Sequence, residues 1–303
     1  MSRVPDRFTL QSIKRLEPYL QTKGLIELII NRPREVVLET QQGFQTKAAP
    51  ELTIDYLETM AGALATYSGQ KFDDEHPILA CSLPYPYGHR VQIVGKAVVQ
   101  SGFAMAIRVA AAEVFDLSAW FSPADVDRVI ATILDQKNIL VAGGTSSGKT
   151  TLMNSMLQHV PKDERILTIE DALELVVPHH NSARMLKSRS GSDIARVSYQ
   201  NLIDSVVRQR PDRIFVGELS IENTMAFLRV VKTGHPGSMS TVHADTADGT
   251  LDALMMNLAL AGYGGNGAES YMMELIKSAV QVIIHVTRVS RREFKAVIKE
   301  VER

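Results

Sequence analysis

An eight-residue glycine-rich segment constrains this 303-residue chain more than any other feature. It reads Gly143-Gly-Thr-Ser-Ser-Gly-Lys-Thr150 and follows the apolar run Asn138-Ile-Leu-Val-Ala142. The pattern G-x-x-x-x-G-K-[ST] is typical of a phosphate-binding loop, because its glycines let consecutive backbone N–H groups approach a polyphosphate. Apolar residues at helical spacing follow, so we expect a helix whose N-terminus favours the anion. The segment therefore predicts a nucleotide-binding α/β domain.

The residues of this loop have different expected roles in holding a nucleotide. Lys149 is expected to reach the β- and γ-phosphates, and Thr150 is expected to offer its hydroxyl to Mg²⁺. The predicted nucleotide-binding residues are Gly143, Gly144, Thr145, Ser146, Ser147, Gly148, Lys149, Thr150 and Thr151.

Carboxylates and a histidine are expected at the strand ends that face the nucleotide. Glu218 closes the run Arg213-Ile-Phe-Val-Gly and is the candidate to orient an attacking water. The segment Thr168-Ile-Glu-Asp-Ala-Leu-Glu174 carries three carboxylates. Glu170 and Asp171 are expected to assist catalysis. Glu174 is a candidate for the Mg²⁺ site, where it would contact the groups that bind the metal and not the metal itself. His243 ends a third apolar strand and is the candidate to contact the γ-phosphate. The alternative for the carboxylates is that they are charges at the start of a helix, where the helix dipole favours them. The alternative for His243 is a hydrogen-bonded imidazole in the core.

Other features exclude several classes of site. The single cysteine, Cys81, rules out an internal disulfide framework and a cysteine-rich zinc site, and we interpret it as a small buried side chain. His179 and His180 lack a spaced set of partner ligands, so we interpret them as solvated loop side chains. Gly262-Tyr-Gly-Gly-Asn-Gly267 fits the dinucleotide fingerprint but follows a predicted helix, which favours a loop.

Hydrophobic periodicity divides the chain into two predicted domains. An α+β domain over 1–111 is expected to contain a helix at 8–21, another at 52–67, and strands near 25–30, 36–38, 78–83, 90–94 and 104–109. A linker over 112–124 precedes a phosphate-loop domain over 125–303. Strands and helices alternate there, which predicts a mostly parallel sheet. Two alternating runs at the end, 281–289 and 294–301, predict a closing hairpin. The formal charge is −1, so the net charge does not indicate a polyanion or a membrane as partner. No apolar stretch reaches membrane-spanning length, so we expect a cytoplasmic protein.

Four motifs, in order, resemble those of the secretion, or traffic, ATPases. They are the phosphate-binding loop, the acidic segment 168–174, Arg210-Pro-Asp-Arg-Ile-Phe-Val-Gly-Glu218, and Thr233-Gly-His followed by Ser-Thr-Val-His243. Their order and spacing over about 138–245 are similar to the family's Walker A, Asp box, degenerate Walker B and His box. The chain looks most like the hexameric ATPases of type IV secretion and conjugal DNA transfer. Type II secretion relatives usually carry a four-cysteine zinc insertion, which one cysteine cannot build.

The resemblance extends to two arginines of the N-terminal half. Arg90 and Arg108 lie in Gly88-His-Arg-Val-Gln and Ala106-Ile-Arg-Val, which look like the segments whose arginines reach the γ-phosphate. Without the resemblance, a solvent-facing position on an apolar strand explains them equally well. Ser220 departs from the family pattern, which commonly has arginine two residues after the Walker B glutamate.

The resemblance implies a RecA-like ATPase domain and a homohexamer that hydrolyses Mg-ATP to drive pilus assembly and export, leaving protein and DNA both open as the substrate. It also implies a position at the inner membrane, held by secretion-system components. An alternative is an ATP-gated assembly scaffold with incidental turnover, which would share every binding motif. A small-molecule kinase is disfavoured, because no acceptor-binding lid is evident and the histidine box is present.

Overall fold

The computed structural model describes residues 5–40, 42–84, 86–109, 114–187, 197–265, 267–290 and 293–302, which form two compact units. The first contains the described residues up to 109 together with Asp171–Glu174 and Lys187, and the second contains the other described residues. The end of the predicted N-terminal domain at 111 and the start of the predicted linker at 112 lie outside the described residues.

An antiparallel sheet forms the centre of the first unit. Its strands are β1 (Leu25–Ile30), β2 (Glu35–Thr40), β3 (Gly43–Ala48), β4 (Ile78–Ser82), β5 (Arg90–Gly95) and β6 (Phe103–Arg108), in the order β3-β2-β1-β6-β5-β4. The helices are α1 (Arg7–Ser12), α2 (Glu17–Leu20) and α3 (Ile54–Ser68). Burial alternates along β2 and β5, so one face of the sheet packs into an apolar core with α3.

Two features of the first unit differ from the sequence predictions. The expected helix over 8–21 is divided into α1, a 3₁₀ turn at Lys14–Leu16 and α2. Pro18 explains the break, because it cannot donate a backbone hydrogen bond to the preceding turn and its ring crowds that turn. Strand β3 was not predicted, and all but one of its residues are exposed, so it carries no buried alternation to detect.

A mostly parallel sheet forms the centre of the second unit. Its strands are β7 (Ile139–Gly143), β8 (Ile166–Glu170), β9 (Ser182–Leu186), β10 (Arg213–Glu218), β11 (Met239–His243), β12 (Val282–Arg288) and β13 (Phe294–Glu300). The order is β13-β12-β7-β11-β10-β8-β9, and every neighbouring pair is parallel except β12 with β13. The helices are α4 (Pro123–Leu134), α5 (Lys149–Leu157), α6 (Tyr199–Val206), α7 (Thr224–Lys232), α8 (Thr250–Leu258) and α9 (Ala268–Ala279).

These elements confirm the predicted fold class. Strands β7 and β8 are buried along their whole length, as expected for parallel strands covered on both faces. Strand β9 was not predicted, because its sequence has no run of β-branched residues. Within the predicted linker, Trp120 and Phe121 are buried and pack into the core of the second unit. Among the described residues, no helix is long and apolar enough to cross a membrane.

Candidate active site

The phosphate-binding loop connects β7 to α5, as its sequence predicts. Strand β7 ends at Gly143, and α5 begins at Lys149. A Cβ on Gly143 would collide with the carbonyl oxygen of Val286 and would lie 2.6 Å from Oγ of Ser147. Only glycine fits there. Ser146 has a φ of 57°, in the left-handed region, which helps successive N–H groups to point into one concave surface.

Lys149 is folded back onto this loop. The side chain is buried, and its Nζ donates to the carbonyl oxygens of Gly143, at 3.0 Å, and Gly144, at 2.8 Å. A buried ammonium group needs such acceptors. The nine-residue helix α5 starts at the same point, so its N-terminus faces the loop. The loop thus combines a cation, backbone donors and a helix N-terminus.

Glu218 and His243 form a line of polar contacts that ends at Lys149. Nε2 of His243 lies 2.6 Å from Oε1 of Glu218, and its Nδ1 lies 3.2 Å from Nζ of Lys149. Because an ammonium group only donates, Nδ1 accepts, and the hydrogen of the neutral ring is therefore on Nε2, the nitrogen that faces Glu218. Both residues stand at strand ends, of β10 and β11, as predicted. The line joins the predicted phosphate-binding cation to the predicted water-orienting carboxylate.

Glu170 is held by partners on three sides. It is buried at the end of β8, where Oε1 accepts from Oγ1 of Thr168 at 2.7 Å and Oε2 accepts from the N–H of Leu175 at 2.9 Å. Arg184 of β9 donates to both carboxylate oxygens, through Nε and Nη2, at 2.9 Å each. This two-pronged pair was not predicted, because β9 itself was not. Glu170 therefore fixes the two ends of the acidic segment.

The remaining candidates belong to the first unit. Arg90 of β5 lies directly opposite Arg108 of β6 in the antiparallel register, so the two arginines share one end of the sheet. Nη1 of Arg90 lies 3.5 Å from Oε1 of Glu174, in the acidic segment that groups with this unit. Asp171 lies in the same segment. Beside Arg90, burial lowers the pKa of His89.

The sequence suggested that His179 is a solvated loop side chain, and this prediction is wrong. It is buried, and its Nε2 is 3.0 Å from the carbonyl oxygen of Pro161. Burial lowers its pKa. His180, its neighbour, is exposed, as predicted. Within the described part of the chain, no group of three or more histidine, cysteine, aspartate or glutamate side chains could hold a metal ion.

Ser220, where the resemblance leads us to expect an arginine, lies in the turn between β10 and α7. Its N–H donates to Oδ1 of Asn223 at 2.8 Å, and Nδ2 of Asn223 donates to the carbonyl oxygen of Glu218 at 2.9 Å. Its carbonyl oxygen accepts from Oγ1 of Thr224 at 2.7 Å. Ser220 thus helps to fix the backbone that follows Glu218.

Several proteins of bacterial secretion systems are similar to this chain. Residues 95–301 match the family described as "Type II/IV secretion system protein". The chain is 34% identical to type IV secretion system protein VirB11 of Bartonella quintana, over 91% of this chain and 89% of the relative. It is 32% identical to type IV secretion system protein PtlH of Bordetella pertussis, over 94% and 92%. A crystal structure of the VirB11 ATPase from the Brucella suis type IV secretion system, in complex with sulphate, aligns with a TM-score of 0.52 and 26% identity, over 97% of this chain and 94% of that one.

Proposed function

Because this chain belongs to the type II/IV secretion system protein family, we propose that it is an ATPase of a type IV secretion or conjugation system. It hydrolyses Mg-ATP to drive pilus assembly and the export of a protein or DNA substrate. The observation that carries the proposal is the line from Lys149 through His243 to Glu218, which ends on a phosphate-binding loop.

The loop residues fit Mg-ATP because the N-terminus of α5 lies at the loop and Lys149 supplies a buried cation. The backbone N–H groups of residues 143–151 and Nζ of Lys149 would bind the phosphates. The hydroxyl of Thr150 would hold Mg²⁺. Glu174 would contact the groups that bind the metal and not the metal itself. When bound, Mg²⁺ supplies positive charge to the phosphate oxygens.

Catalysis by this chain consists of positioning and electrostatic stabilisation. Glu218 orients a water for in-line attack, and His243 reports on phosphate occupancy because it contacts both Lys149 and Glu218. Arg90 and Arg108 neutralise charge that develops on the γ-phosphate.

Two acidic residues have supporting roles. Glu170 assists indirectly, since its carboxylate already binds Arg184, Thr168 and the backbone of Leu175. It holds the segment that presents Asp171, which assists Glu218.

The proposed oligomeric state and cellular position also rest on membership of this family. Six copies form a ring that works from the cytoplasm, is peripheral at the inner membrane, and docks to secretion-system components there. Domain boundaries near 111 and 125 separate an N-terminal domain from the ATPase domain. Nucleic acid is a cargo of this machine only where the exported substrate is DNA.

The test is Mg²⁺-dependent ATP hydrolysis by the full chain, measured across protein concentration beside Glu218→Gln and Glu222→Gln. Glu222 is exposed and close by in the sequence, so its variant controls for the loss of one negative charge in this region. We expect turnover per chain to rise with concentration, to fall by at least about 100-fold in Glu218→Gln, and to persist in Glu222→Gln. ATP binding without turnover above Glu218→Gln would refute the proposed hydrolysis and favour the scaffold.

A further inference from the structure

An aromatic side chain lies against the phosphate-binding loop on the side opposite Glu218. In the sheet, β12 and β13 flank β7 on one side, whereas β11 and β10, which carry His243 and Glu218, flank it on the other. Phe294 is the first residue of β13. A Cβ on Gly148 would lie 3.3 Å from both Cδ1 and Cε1 of the Phe294 ring. The last glycine of the loop therefore lets this ring approach the N-terminus of α5.

The guanidinium group of Arg288 lies near this ring. It is the last residue of β12 and lies directly opposite Phe294 in the antiparallel register. Its guanidinium carbon is 5.9 Å from the centroid of the Phe294 ring. Arg288 is exposed and Phe294 is half-buried, so part of the ring is open to solvent. The pair lies beyond the end of β7, because β12 is in register with β7 at His285 and Ala142 and continues to Arg288.

The direction of a bound nucleotide follows from these positions. The phosphates lie at the N-terminus of α5, and the γ-phosphate must face Glu218 and His243 for water to attack it. The other end of the nucleotide then points toward β12 and β13. That end is a planar base, for which an aromatic ring and a guanidinium plane are suitable stacking partners.

We infer that Phe294 and Arg288 form the base subsite of the nucleotide, an inference that rests on the proposed function. Phe294 supplies the face on which a purine stacks, and Arg288 closes over it from the neighbouring strand. Stacking uses the π-face that every base has, so this subsite favours nucleotides over base-free polyphosphates without selecting adenine over guanine.

The test compares ligands with and without a base on the full-length protein. Equilibrium dissociation constants for ATP, GTP and inorganic tripolyphosphate, each with Mg²⁺, are measured by calorimetry for the wild type, Phe294→Leu and Phe294→Tyr. Leucine keeps an apolar side chain against Gly148 but has no ring, and tyrosine keeps the ring. Ile298→Ala is the matched control, since Ile298 packs on the same core but is four residues farther along β13, about 13 Å by strand rise.

We expect Phe294→Leu to weaken ATP and GTP binding by at least about 5-fold and to leave tripolyphosphate binding within about 2-fold. Phe294→Tyr and Ile298→Ala should bind all three ligands like the wild type. Equal weakening for tripolyphosphate would overturn the inference, because Phe294 would then only support the loop. Unchanged ATP binding in Phe294→Leu would also overturn it.

The failure of the two proposals can be told apart. A wild-type protein that binds neither ATP nor tripolyphosphate would refute the proposed ATPase function itself. Arg288→Gln gives a second test of the subsite, since Arg288 is exposed and the change removes the charged plane together with one hydrogen bond, from Nε to the carbonyl oxygen of Ser290. We expect it to weaken ATP binding by about 2- to 5-fold and tripolyphosphate binding by less. Equal losses for the two ligands would assign Arg288 to the phosphates and contradict its place in the base subsite.

Discussion

Replacement of Arg184 by methionine should destabilise the second unit strongly, because it removes a two-pronged ion pair from the buried carboxylate of Glu170. Glu170 is 1% exposed and receives two hydrogen bonds from Arg184, both at 2.9 Å. Methionine keeps an unbranched side chain of moderate length, so the change removes charge and hydrogen bonds more than packing. The perturbation therefore isolates an ion pair that connects β8 to β9.

The expected magnitude is about 3 kcal/mol. Removal of one partner from a buried ion pair typically costs about 3–5 kcal/mol. Two observations favour the lower end of this range: the Arg184 side chain is 29% exposed, and Glu170 keeps its hydrogen bonds from Thr168 and Leu175. For a unit of this size, a loss of about 3 kcal/mol lowers the urea midpoint by about 1 M.

The assay follows urea unfolding through tryptophan fluorescence. Trp120 is the sole tryptophan, and it is buried in the core of the second unit, so its signal reports on the unit that contains the pair. Arg208→Met is the matched control, because Arg208 is an exposed arginine of the same unit. The control should change the free energy of unfolding by less than about 0.5 kcal/mol.

A double-mutant cycle distinguishes the ion pair from lost packing. Glu170→Gln in the Arg184→Met background removes the buried negative charge whose two-pronged ion pair was lost, so we expect it to recover at least about 1 kcal/mol of the loss. A loss below about 0.5 kcal/mol in Arg184→Met would refute the reasoning. So would a double variant that is less stable than Arg184→Met.

Three further predictions concern single residues. Gly143→Ala should abolish tight ATP binding and lower the melting temperature, because the new Cβ would collide with the carbonyl oxygen of Val286. Gly144→Ala is the control and should change the melting temperature little, because the space around its new Cβ is open. His179→Gln should make the free energy of unfolding depend less on pH under acidic conditions. Burial lowers the folded-state pKa of His179, so its contribution to the free energy of unfolding is complete above about pH 6.5. That contribution is lost as the pH falls, because the unfolded chain takes up the proton first. Thermal melts between pH 8 and pH 5.5 measure this difference, and parallel curves would contradict it. Burial raises the pKa of Cys81 to about 12, so iodoacetamide at pH 8 should modify the native protein at least about 100-fold more slowly than the urea-unfolded chain, as mass spectrometry would detect.

Much of the fold could be predicted because its signals are local. The phosphate-binding loop has fixed spacing, and the continuous apolar runs that became β7 and β8 favour parallel strands. Alternating residues in β12 and β13 predicted the closing hairpin, which the antiparallel register confirms. Predictions failed where the local signal was weak, as in β3, or where Pro18 divided an apolar helical pattern.

The sequence by itself determined the chemical types at the candidate site: a glutamate and a histidine at the ends of two strands, and a lysine in the phosphate-binding loop that follows a third. The tertiary structure decided which of them meet. His243 lies 94 residues after Lys149, and their contact depends on β7 and β11 being neighbours in register. The pairing of Arg184 with Glu170 and the position of Phe294 on the loop depend in the same way on strand order. Local patterns specify which elements form, but contacts between distant residues arise only when packing fixes the order and register of those elements.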